Sequence, residues 1–145
     1  MFQVAMGWTN SHLHSFTIGE QQYVMEVDDP EEELDEQETT VSVALRGGVR
    51  RFTYAYDFGD SWEHEVVVED ATSSPLSLKH AVCLDGQNAC PPEDVGGVGG
   101  YEQFLEALAD PTHEEHARYL DWVGYRFDPA AFDLAALNAD LQRVR

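Results

Sequence analysis

The chain has 145 residues, with 28 acidic and 8 basic side chains and a formal net charge of −20. A chain of about 150 residues buries roughly two thirds of its unfolded surface, which suits one domain with a real core, and 43% hydrophobic with 11% aromatic residues is globular composition. The charge disfavours direct binding of DNA or RNA, whose affinity rests on Lys and Arg displacing counterions, and disfavours anionic membranes; no apolar run approaches the roughly 18 residues a spanning helix needs.

Lys79 is the only lysine, and the surplus of carboxylates fits either a high-salt cytoplasm or an acidic interaction face. No basic-then-apolar leader marks export, and Cys83 with Cys90 do not form the dense framework of a secreted domain, so the expected location is cytoplasmic with both thiols reduced.

In chain order, Phe2 to Trp8 reads as the last turns of a helix ending at Gly7. His12 to Ile18 alternates as a strand with His12, His14, Phe16 and Ile18 on one face, and Gly19-Glu20 turns it into a partner over Gln22 to Val27. Residues 28–38, DDPEEELDEQE, hold eight carboxylates and one proline, which predicts a solvated acidic loop without the calcium-binding pattern. A short apolar segment, Val41 to Leu45, precedes a Gly47-Gly48 turn and an aromatic hairpin, Phe52 to Val68.

If Gly59-Asp60-Ser61 is the hairpin loop, Phe58 faces Trp62 and Tyr56 faces His64. One side then collects Phe52, Tyr54, Tyr56, Phe58, Trp62, His64, Val66 and Val68, and the other Thr53, Ala55, Asp57, Glu63, Glu65 and Val67. A one-residue slip would mix the two sets, so burial of one face favours this separation.

Residues 70–100 read as loop, rich in Ser, Pro and Gly. Three helices follow. Tyr101, Phe104, Leu105 and Leu108 make one stripe that stops at Asp110-Pro111. Thr112 with Glu115 predicts a capping box for a helix carrying Tyr119, Leu120 and Val123 and ending at Gly124. Asp133 caps a last helix, with Leu134, Leu137, Leu141 and Val144 facing inward. The expected class is α+β, a mostly antiparallel sheet containing the aromatic hairpin with three C-terminal helices packed on one face, in a single domain over residues 1–145.

The segments AMGWTNSHLHSF, YAYDFGDSWEHEVVVE, CLDGQNACPPEDVGG, GYEQFLEALADPTHEEH and FDPAAFDLAALN, in this order, resemble the plasmid pRiA4b ORF-3-like family, also described as insertion-element passenger proteins. Members resembling this chain open earlier, with a strand pair and a complete first helix. The resemblance therefore implies an N-terminally truncated member, a misassigned start or a split gene. The family is uncharacterised, and its association with resolvases implies genomic neighbourhood. A serine recombinase would need a nucleophilic Ser beside several arginines and a basic helix, which this sequence lacks.

Two site readings stand side by side. The leading one is an accessory, non-enzymatic domain that meets a protein partner through Tyr54, Tyr56, Asp57, Asp60, Trp62 and His64. The alternative is a metal-binding module or metal-dependent hydrolase holding a divalent ion such as zinc with His12, His14 and His64, since His-x-His on a strand points two imidazoles the same way.

Competing structural roles are buried histidines bonded to tyrosine or backbone, and Asp57 and Asp60 as turn formers around Gly59. Ser61, His64 and Asp57 do not make a triad in this register. The six-residue gap between Cys83 and Cys90 is not that of a zinc knuckle, the Gly96–Gly100 run lacks the lysine of a phosphate loop, and His113 and His116 miss zinc-protease spacing.

Overall fold

Alternation in HSFTI and QQYV produces two antiparallel strands, β1 (His14–Ile18) and β2 (Gln21–Val24), reversed at Gly19 with φ 66°. The computed structural model describes residues 1–71 and 79–144, so residues 72–78 of the expected 70–100 loop lie outside the described part. β1 also pairs antiparallel with β4 (Arg51–Tyr56), which pairs antiparallel with β5 (Trp62–Val67). With β3 (Glu33–Asp35) parallel to β2, the five strands run in the order β3-β2-β1-β4-β5.

The strand inside the acidic run is a correction to the solvated-loop reading. Its carboxylates do local work. Glu33 Oε2 accepts from the amides of Asp28 at 2.7 Å and Asp29 at 3.1 Å, and Gln21 Nε2 donates to the Glu32 carbonyl at 2.9 Å. These bonds fold residues 28–33 back so that Glu33, Leu34 and Asp35 align with Gln22, Tyr23 and Val24. Composition alone, low in apolar side chains, hides a strand whose pairing is made by backbone. The segment at Val41 forms a one-turn helix, α2 (Val41–Ala44), with Val41 and Val43 exposed.

The hairpin keeps its predicted faces but its register shifts by two residues: Tyr56 pairs with Trp62, Tyr54 with His64 and Phe52 with Val66. The loop is five residues, 57–61, because Asp57 takes a left-handed φ of 54° and its Oδ1 accepts from the amides of Gly59 and Asp60 at 3.0 and 3.3 Å. The Ser61 amide closes the turn on the Asp57 carbonyl at 2.6 Å. Short polar side chains tolerate this conformation and supply such bonds, so the ladder ends at Tyr56 rather than Phe58. Phe58 is consequently an exposed loop residue.

The sheet and its turns form one compact unit, His12–Pro75; Met1–Ser11 with Leu76–Arg145 forms a second, helical one. In the helical unit, α1 (Phe2–Met6) ends as expected at Gly7, φ 79°, whose left-handed cap sends the Trp8 amide to the Gln3 carbonyl at 2.8 Å. α3 (Gly97–Ala109) begins inside the glycine run rather than after it. Gly100 cannot carry a side chain there, since a Cβ would collide with the Val95 carbonyl.

α4 (His116–Val123) has no side-chain cap; Asp110 Oδ1 instead takes the amide and hydroxyl of Thr112 at 2.8 and 2.7 Å, replacing the predicted capping box. Those bonds, the hydroxyl first and then the amide, hold the Asp110 carboxyl below its usual range. His116 Nδ1 donates to the Ala107 carbonyl at 2.7 Å, bonding α4 back to α3. α5 (Leu134–Leu141) is capped by Asp133, as expected, through the Ala136 amide; Leu141 is buried but Leu134 is exposed.

Phe104 is fully buried, with Tyr119, Trp122 and Phe127 rings at 5.4, 5.9 and 5.2 Å. Replacing it by alanine is expected to cost about 3–5 kcal/mol, because three edge-packed rings would line the cavity left behind. Urea denaturation measures this; a loss below about 1 kcal/mol would show that Phe104 does not organise the unit.

Candidate functional site

The aromatic face of the sheet carries most of the residues expected to function. Tyr54 and Tyr56 are 0% and 1% exposed and Asp57 is also buried, while Asp60, Trp62 and His64 are half-buried. The face expected to meet a partner is therefore core at both tyrosines. Burial raises the Tyr54 phenol well above its ordinary value, with Tyr56 and Glu36 adding to the shift. Such a hydroxyl stays protonated at neutral pH and does not serve as a base.

His14 and His64 are drawn apart by the sheet geometry. His14 is on β1 and His64 on β5, with β4 between them, a separation of about 10 Å between backbones. The Tyr54 ring fills that space, 5.7 Å from the His14 ring and 5.6 Å from the His64 ring. His64 Nδ1 donates to the Tyr54 carbonyl at 3.2 Å, and His14 Nε2 lies 3.0 Å from Glu36 Oε2.

Glu36 reaches His14 because β3 follows β2 in parallel and β2 ends at Val24, whose carbonyl accepts the Glu36 amide at 3.0 Å. His12 packs edge-on to Tyr56 at 5.8 Å and places Nδ1 3.6 Å from Asp57 Oδ2. The Asp57 amide donates to the Leu13 carbonyl at 3.0 Å, which brings the loop beside His12. Sequence reading grouped the imidazoles by face; the structure couples two of them to carboxylates.

The helical unit holds a groove that the sequence did not single out, about 620 Å³, with Trp8, Cys90, Trp122 and Phe127 among its lining. Trp8 is buried and donates its indole N–H to the Pro91 carbonyl at 3.0 Å. Thr9 donates its amide and hydroxyl to Glu93 Oε2 at 3.2 and 2.5 Å, so the Pro91–Glu93 stretch is held on both sides of the indole. The loop is held again by Asn138, which accepts from the Cys83 amide at 2.8 Å and donates to the Cys83 carbonyl at 2.9 Å. Single-residue signals of this kind have no periodicity, and only the fold reveals them.

The two thiols are free and half-buried. Burial first, and the nearby Glu93 carboxylate second, push the Cys90 thiol up to about 12. His113 Nδ1 accepts the Glu115 amide at 3.1 Å, so both histidines of HEEH serve the α3–α4 connection.

A mixed sheet with an aromatic hairpin and a helical unit built on a buried phenylalanine define an α+β protein. The chain belongs to the plasmid pRiA4b ORF-3-like protein family, whose sequence model matches residues 1–136. It is 41% identical to the uncharacterized protein y4hQ of Sinorhizobium fredii, covering 95% of this chain and 72% of that protein. The crystal structure of MM3350, a protein of unknown function from Methanosarcina mazei Go1, superposes with a TM-score of 0.82 at 32% identity, covering 93% of this chain and 78% of that one. Among the described residues no helix is long and apolar enough to cross a membrane.

The Cys90 shift has a defined sign. Folding favours the neutral thiol, so its stabilising contribution is present below the ordinary thiol value near 8.5 and is lost as pH rises toward about 12. At pH 8.5 about half of an ordinary thiol is thiolate, whereas Cys90 is held almost wholly as the thiol. Iodoacetamide followed by mass spectrometry is expected to label Cys90 far more slowly in the folded chain than in urea; equal rates would contradict the assignment.

Proposed function

We propose that the chain is an accessory domain of plasmids and mobile elements that works by binding another protein, the plasmid part of that context being carried by its family's name, and that it is not itself a recombinase. The observation that carries this reading is the placement of its aromatics. The hairpin tyrosines are core, whereas Trp122 and Tyr125 of the helical unit stand 45% and 59% exposed beside the groove. Exposed aromatics next to a concavity are typical of protein-binding surfaces.

The net charge of −20 selects a basic partner and repels nucleic acid. Ser61, whose hydroxyl donates to the Phe58 carbonyl at 3.3 Å, sits in a loop with Asp57 and Asp60, an unsuitable setting for attack on a phosphodiester.

A second reading is a divalent metal held by His12 and Asp57. The 3.6 Å between Nδ1 and Oδ2 is close to the roughly 3.3 Å separating two ligand atoms on a tetrahedral zinc ion. His14 and His64 fit this reading less well, because β4 lies between them and each has a partner of its own, Glu36 and the Tyr54 carbonyl.

Binding of the purified chain to a panel of defined 15-residue peptides and to a 30-base-pair duplex tests the first reading. Affinity is expected for basic peptides only, falling as salt approaches 1 M; binding of the duplex, or of no peptide, would overturn it. For the second, zinc or manganese is expected to raise the melting temperature of the wild type and not of His12→Ala. A chain that binds less than about a tenth of an equivalent of metal on titration, with no thermal shift, removes the metal reading.

A further inference from the structure

We propose that the groove of the helical unit receives a cationic side chain, an arginine presented by a basic segment of the partner protein. This rests on the protein-binding reading above and assigns its site and chemistry. The groove combines two features that together suit a guanidinium. Its lining includes the exposed Trp122 and Tyr125 and the buried Trp8, and aromatic faces attract cations. Its lining also contributes three carboxylates, Glu93, Asp94 and Asp128, against a single guanidinium, Arg126.

Cys90 lines the same groove; burial is the first cause of the upward shift of its thiol, and the Glu93 carboxylate, the second, is the part that reflects negative potential there. The unit already contains one example of this pairing: the Arg118 guanidinium lies 4.9 Å from the centre of the Tyr119 ring while bonding to Glu115 at 2.5 Å. Arginine suits the groove better than lysine, because its planar head stacks on a ring and offers parallel donors to a carboxylate. A volume of about 620 Å³ accommodates such a head with the residues flanking it.

The test uses the acetylated peptide Gly-Ala-Arg-Ala-Arg-Ala-Gly amide, with versions carrying lysine or the uncharged isostere citrulline. Its readout is the indole N–H signals of the three tryptophans in the ¹⁵N-labelled full chain. The arginine peptide is expected to move the Trp122 signal and leave that of Trp62 in place, with the lysine peptide weaker and the citrulline peptide weaker by about tenfold. Trp122→Ala, followed through the Trp8 indole signal in the same groove, and Asp128→Asn, which keeps an acceptor for the Ala130 amide, are each expected to weaken arginine binding about threefold or more.

Thermal melting confirms that each variant is folded. Arginine binding that neither shifts Trp122 nor responds to the variants overturns the groove while leaving the protein-binding reading intact. Equal binding of citrulline overturns recognition of the cation. Failure of every cationic peptide, here and in the 15-residue panel, overturns both.

Discussion

The turn at Asp57 is the constraint on which the sheet unit depends. One carboxylate oxygen takes the amides of Gly59 and Asp60 and the other faces His12, while the backbone adopts a left-handed conformation that few residues other than Gly, Asn and Asp accept. That turn ends β4 at Tyr56 and sets Tyr54 opposite His64. With Phe16 paired to Tyr54 from the other side, the hairpin tyrosine becomes the centre of a ring cluster, 5.0 Å from Phe16 and 5.6 Å from His64. The environment of His64 on this face follows from the register so chosen.

In the helical unit the corresponding centre is Phe104. Its ring gathers Tyr119, Trp122 and Phe127, and in doing so leaves Trp122 partly uncovered at the side of a groove. The Pro91–Glu93 stretch is fastened there by the Trp8 indole and by Thr9. Function on this unit, as proposed, is a product of packing that orders an aromatic without fully burying it. The acidic character of the chain then determines what kind of partner such a surface attracts.

The acidic run of residues 28–38 shows how charge and structure coexist in one segment. Glu33 accepts two amides of its own turn and Glu36 approaches the buried His14, so both carboxylates have structural neighbours, while β3 adds an edge to the sheet through backbone bonds. Six of the chain's 28 acids lie in the continuous stretch Asp28–Asp35 excluding Pro30 and Leu34. A segment of that composition stays folded because its bonds are local and its ladder is short.

Much of the architecture was legible from residues alone, for physical reasons that differ by element. The strand faces followed from period-two alternation, which survives a two-residue change of register, and the ends of α1 and α4 followed from Gly7 and Gly124, which occupy left-handed caps. The Asp133 cap was equally plain.

Tertiary structure decided the rest. The hairpin register turned on which amides the Asp57 carboxylate would take, and β3 on backbone pairing within a carboxylate-rich run. The separation of His14 from His64 turned on a strand inserted between them, and the groove on a loop held by bonds from Trp8 and Thr9. Periodicity records which face a side chain occupies; distance between faces, strands and loops depends on contacts remote in the chain, and those exist only once it has folded.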